Sequence, residues 1–209
     1  MFFEPAPPDA ETAPARPELP PWAGPPTMET GVLLAVQQIV ARSANVAVFL
    51  PAVRVFSTGC MLEVEIVSRQ ADLSEEDWFP LHLAVHSGRG FHGARLPDRL
   101  LRLGVRFPDG SKATTLDQHP PKRDEGPPDG PLMMWWPGGS GGMRHGGGNV
   151  GFNRFGLWLW PLPPAANFEF AVEWPLAGIE LTFAELDGAA IVAAAGRPAY
   201  YWPEPPGTE

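Results

Sequence analysis

The sequence has one cysteine, Cys60, in 209 residues. No disulfide can form within the chain, which suits a reducing compartment. It has no run of about 18 apolar residues, so it offers no transmembrane helix. Basic side chains are scarce: 15 Lys and Arg stand against 24 Asp and Glu, a net charge of -9. Nucleic-acid binding draws most of its affinity from Lys and Arg neutralising phosphates, and docking on anionic lipid needs the same excess. The balance opposes both. The opening residues, MFFEPAPPDA, carry an acid at Glu4 and scattered prolines. A signal peptide needs a basic start and an unbroken apolar stretch. The expectation is a cytoplasmic chain with no nucleic-acid or membrane partner.

Proline and glycine are abundant instead, at 27 and 23 residues, about twice the usual share. They cluster. Prolines crowd residues 1–28, 120–131 and the C-terminal end, and glycines crowd 138–151. Residues 1–28 read as a proline-rich tail, polyproline-II or disordered. Within it, LPPW (Leu19–Trp22) and GPPT (Gly24–Thr27) have the composition of ligands for a proline-recognising groove. Residues 29–203 read as a single domain, and 204–209 as a disordered end.

The domain reads as strands. In CMLEVEIVSRQ, Leu62, Val64 and Ile66 share one face, while Glu63 and Glu65 share the other. Turn-like ARSAN (Ala41–Asn45) and STG (Ser57–Gly59) divide residues 29–70 into three strands, with Pro51 marking a bulge or an edge; a helix over Val32–Val40 is the competing reading of the first run. DLSEEDW (Asp72–Trp78) reads as a helical turn capped by Ser74. LHLAVH (Leu81–His86) alternates and suggests a short strand. PDG (Pro108–Gly110) divides a hairpin, and LMMWW (Leu132–Trp136) is another strand. FEFAVEW (Phe168–Trp174) is the clearest half-buried strand, and IELTF (Ile179–Phe183) suggests one more. DGAAIVAAAG (Asp187–Gly196) reads as a helix, with Asp187 as N-cap and Gly196 at C′. Many short strands without alternating βαβ units indicate an all-β fold. The expectation is an antiparallel β-sandwich with one short C-terminal helix and long Pro/Gly-rich loops.

LLRLGVRFPDG and WLWPLPP…FEFAVEWPLAGIE resemble an uncharacterised family of small β-rich proteins from high-GC Gram-positive bacteria. The resemblance covers residues 32–202. It implies one cytoplasmic β-rich domain and brings no activity, cofactor or site residue with it.

Each candidate chemistry meets a physical objection. The glycine-rich PGGSGGMRHGGGNVG lacks the lysine of a Walker loop and the following helix of a dinucleotide fingerprint. Arg144 and His145 within it could hold an anion. GGSGG (Gly138–Gly142) fits the hydrolase G-x-S-x-G pattern around Ser140, but a strand and not a helix follows. His82, His86 and His92, with Asp98, leave a metal-dependent enzyme as an alternative. On a strand, His82 and His86 would lie about 13 Å apart at ~3.3 Å per residue; on a helix their i, i+4 spacing would suit a metal. The pairs Glu63/Glu65 and Glu169/Glu173 share strand faces, as solvated faces commonly do. Cys60 reads as a buried structural thiol. Eight tryptophans leave a sugar- or small-ligand-binding face open, with Trp158 and Trp160 of GLWLWPLPP as its residues. No cofactor is implied. The leading expectation is a non-enzymatic protein that binds a protein partner or its own copy.

Overall fold

The computed structural model describes residues 19–84, 96–116, 126–136, 144–146 and 149–202. Two antiparallel sheets face each other across one core. Strands β1 (Val32–Arg42), β2 (Val46–Val55) and β3 (Cys60–Arg69) form a meander. The first turn is tied by Ser43, whose hydroxyl accepts from the Val46 N–H at 3.2 Å. The second runs over Phe56–Gly59, whose ends are joined by the Phe56 N–H donating to the Gly59 carbonyl at 2.9 Å. The β2–β3 register slips between Phe49 and Ala52, the bulge that Pro51 announces.

Helix α1 (Glu75–Ala84) follows. Its start is fixed by Ser74, whose hydroxyl accepts from the Asp77 N–H and donates to the Asp77 carboxylate. Glu75, Glu76 and Asp77 stand in the first turn, where acids favour the positive end of the helix dipole. This corrects the strand expected from Leu81: residues up to Ala84 are helical, and Leu81 is buried in the core. A cap plus three first-turn acids outweighs four residues of alternation.

The hairpin β4 (Arg102–Arg106) and β5 (Lys112–Thr114) belongs to the second sheet. The chain then returns to the first sheet with β6 (Leu132–Trp136), β7 (Arg144–Gly146) and the long β8 (Val150–Trp160). It finishes with β9 (Phe168–Trp174) and β10 (Ile179–Leu186) in the second sheet, and helix α2 (Gly188–Ala195). The large sheet runs β1-β2-β3-β8-β6, with β7 also on β8; the small one runs β10-β9-β4-β5. Asp187 caps α2 by accepting from the Ala190 N–H. Gly196 ends it in the right-handed region, φ -70°, and not in the left-handed conformation usual at C′.

The inner faces supply the core: Leu62, Val64, Ile66, Leu157 and Leu159 from one sheet, and Phe168, Phe170, Val172 and Trp174 from the other. Ile191 and Ala194 of α2 join it. Among the described residues no helix is long and apolar enough to cross a membrane.

Candidate functional site

Strand β8 sets up the site by alternation. Leu157 and Leu159 enter the main core, so Trp158 and Trp160 point to the other side of the large sheet. The neighbouring strands present Met61 opposite Trp158, Met134 opposite Trp158 on the other flank, and Trp136 opposite Gly156. An outer aromatic cluster results: Phe56, Met61 and Trp158 are buried, with Met134, Trp136 and Trp160 packed against them. Phe56 meets Trp158 edge-on, ring centres 5.8 Å apart. The indole also lies against Gly59, where a Cβ would come within 2.6 Å of its ring.

This outer cluster is covered by the proline-rich segment. Residues 19–28, assigned to the tail from sequence, are part of the fold. Pro20 is extended, φ -62° and ψ 152°, close to polyproline-II values. Pro21–Ala23 then form a single 3₁₀ turn. The Trp158 Nε1–H donates to the Pro21 carbonyl at 3.2 Å. Trp22 stands edge-on to Trp160, centres 6.1 Å apart. Gly24 lies so close to the Trp136 ring that a Cβ there would overlap it. The strap is then fastened at its far end. Both Glu29 carboxylate oxygens accept from Ser57, from its N–H and from its hydroxyl. Glu29 pairs with Tyr200 as a β-bridge, the Thr30 N–H donates to the Ala199 carbonyl, and the Tyr201 N–H donates to the Met28 carbonyl.

Beside the strap an open cleft of about 490 Å³ remains on the same sheet face. Its apolar walls include Phe56, Met61, Trp136 and Tyr201, together with Pro25 and Pro26 of the strap. Its charged groups are Glu29, Arg54, Glu63 and Arg154. Arg54 donates to Glu63 at 3.3 Å and to the Thr30 carbonyl at 3.3 Å. Arg154 donates through Nε and Nη2 to Glu65. The carboxylates of the floor are therefore engaged already, while both guanidinium groups stay partly exposed, at 39% and 53%.

Of the sequence candidates, Trp158 is fully buried and Trp160 half-buried. That corrects Trp158 as an exposed stacking surface: the strap occupies the face it presents. Trp160 instead lines a second cavity, about 410 Å³, with Phe107, Asp109, Pro131 and Leu162. Arg144 and His145 sit on β7, in register with Phe152 and Gly151, about one edge of β8 and away from the aromatic cluster in sequence register. His82 lies on α1; His86 and His92 lie outside the described residues, as do residues 137–143 of the glycine-rich stretch. Among the described residues no three His, Cys, Asp or Glu side chains gather as a metal site.

The paired acids and the thiol are accounted for. Glu63 and Glu65 pair with Arg54 and Arg154, and Glu169 and Glu173 with Arg106 and Arg102. Cys60 is completely buried, and burial pushes its thiol pKa up to about 12. A thiol that holds its proton that firmly is a poor nucleophile.

Sequence reasoning missed the strap's role and the cleft. The signal was present in Trp22 between two Pro-Pro pairs, an aromatic anchor where a solubilising tail has no use for one. Comparison with protein-family models, curated proteins and solved structures gave no match.

Proposed function

We propose that the chain is a non-enzymatic, cytoplasmic binding protein that engages another protein through the cleft on the outer face of its large sheet. One observation carries this reading. The face is aromatic, it already holds one stretch of polypeptide, Leu19–Pro26, and it leaves a cleft open beside that stretch. Concave apolar sites with a few placed polar groups are the usual form of a recognition surface. The charged residues around it favour binding over catalysis, because each carboxylate is matched to a donor.

Blocking the cleft tests this. Thr27 is exposed on the rim, so Thr27→Arg places a long side chain across the opening without entering the core. The variant should fold as the parent does and lose the partner that co-purifies with the parent. Retention of the same partner by Thr27→Arg would rule the cleft out as the contact.

A second reading has its own observation. The cavity lined by Trp160 and Phe107 carries one carboxylate, Asp109, among prolines. It suits a small apolar or sugar ligand better than a polypeptide. Quenching of tryptophan fluorescence across a glycan panel, abolished by Trp160→Ala, is its expected signature.

A further inference from the structure

We infer that the segment recognised in the outer cleft is proline-rich, an extended polyproline-II stretch of the partner protein. The inference rests on the reading of the cleft as a protein-binding site and adds its chemistry.

The outer face already holds proline-rich chain. The chain's own proline-rich strap is held by three devices: an indole N–H on a proline carbonyl, a tryptophan ring against a Gly-Pro step, and edge-on aromatic packing. Aromatic-lined grooves are the sites that take proline-rich ligands; here the strap is extended at Pro20 and turns at Pro21–Ala23. The open cleft continues the same surface, since Trp136 both touches Gly24 and lines the cleft.

The cleft's donors and acceptors suit the same ligand. A proline has no backbone N–H, so a proline-rich segment presents carbonyl acceptors and apolar rings and few donors. The cleft is the complement. Its carboxylates are already engaged: Glu29 by Ser57, Glu63 by Arg54, and neighbouring Glu65 by Arg154. Arg154 spends Nε and Nη2 on Glu65, which leaves Nη1 for a ligand carbonyl. A proline-rich segment offers carbonyls to the guanidinium groups, and its preformed helix loses little freedom on docking.

The charge of the lining agrees. Glu29 and Glu63 balance Arg54 and Arg154, so the lining is neutral overall and selects no strongly charged ligand.

The test uses the full chain and two synthetic peptides, eight prolines or eight alanines, each flanked by one lysine at either end. Calorimetric titration should show saturable binding of the proline peptide, about tenfold or more tighter than the alanine peptide. Tyr201→Ala removes an exposed wall of the cleft while keeping the backbone bond to Met28, and should weaken the proline peptide by about tenfold. Equal binding of both peptides, no binding of either, or binding untouched by Tyr201→Ala overturns the proposal. If a partner lost on Thr27→Arg is not competed by the proline peptide, the proline assignment fails and the cleft stands. If no partner depends on Thr27, the cleft reading itself fails.

Discussion

Replacing Trp158 with phenylalanine should loosen the strap and weaken the whole domain, by amounts that can be separated. Trp158 is fully buried on the long strand β8, beneath Pro21 and against Phe56, Met61 and Gly59. Phenylalanine has three fewer ring atoms, so it withdraws from the outer reach of the indole against Gly59, and it has no N–H. At about 0.8 kcal/mol for each buried methylene equivalent, the lost ring atoms amount to roughly 2 kcal/mol. The hydrogen bond to the Pro21 carbonyl goes as well, worth about 1 kcal/mol. Denaturant unfolding should therefore show a loss of about 2–3 kcal/mol. The strap carries the hydrogen-bond share alone, and ~1 kcal/mol is about fivefold in an opening equilibrium. Native-state hydrogen exchange reads it. The Ala23 amide, bonded to the Pro20 carbonyl at 2.8 Å, should exchange about fivefold faster. The turn amide of Ser111, on the other sheet and held locally by Asp109, should not change. If the domain loses stability while strap exchange moves less than twofold, Trp158 is not what holds the strap.

Other outcomes follow from single groups. Cys60 should resist thiol reagents in the native protein and react once it is unfolded. Its folded pKa lies above the ordinary 9.0, near 12, so its protonated form favours the folded state. That contribution is complete below pH 9 and fades as pH rises toward 12, at about 1.4 kcal/mol per pH unit. Cys60→Ala should flatten this alkaline limb; an unchanged limb refutes the assignment. Glu29→Ala should cost about 1 kcal/mol and raise exchange in the strap, because the Ser57 N–H and hydroxyl lose their acceptor. At the acid end, hydrogen bonding from Arg106 holds the Glu169 carboxyl below its usual 4.5, and the Ser111 hydroxyl holds Asp109 below 3.8. Their contribution is present above those values and is lost as pH falls through the lowered ones. Carbon-detected titration should find both below the ordinary values, and Arg106→Ala should return Glu169 alone to its ordinary range.

The strands were legible where one face is buried and the other paired. Phe168, Phe170, Val172 and Trp174 alternate with Glu169 and Glu173 because the small sheet packs on one side only, and Arg102 and Arg106 meet those acids across the pair. The β1–β3 meander was legible from its turns. Strand β8 was harder, because Leu157, Trp158 and Leu159 are all buried. Alternation says which residues share a face, but it cannot say that both faces are covered. The cover over Trp158 comes from Pro21, 137 residues earlier in the chain, and long-range pairing of that kind leaves no local trace. Helix α1 was obscured by the reverse problem, since Leu81–Ala84 copies a strand pattern while its determinant lies upstream at Ser74. The cleft was illegible for a similar reason: Leu19, Arg54, Trp136, Arg154 and Tyr201 meet only through the topology of the large sheet and the strap.

Site-specific photo-crosslinking reports whether a partner protein sits in the cleft. A photoreactive side chain at Thr27, on the cleft rim, is compared in cells with one at the exposed Glu180 on the edge strand β10. Position 27 should give a discrete protein adduct that is absent from position 180. Adducts of equal yield at both positions, or none from position 27, would contradict a partner in the cleft.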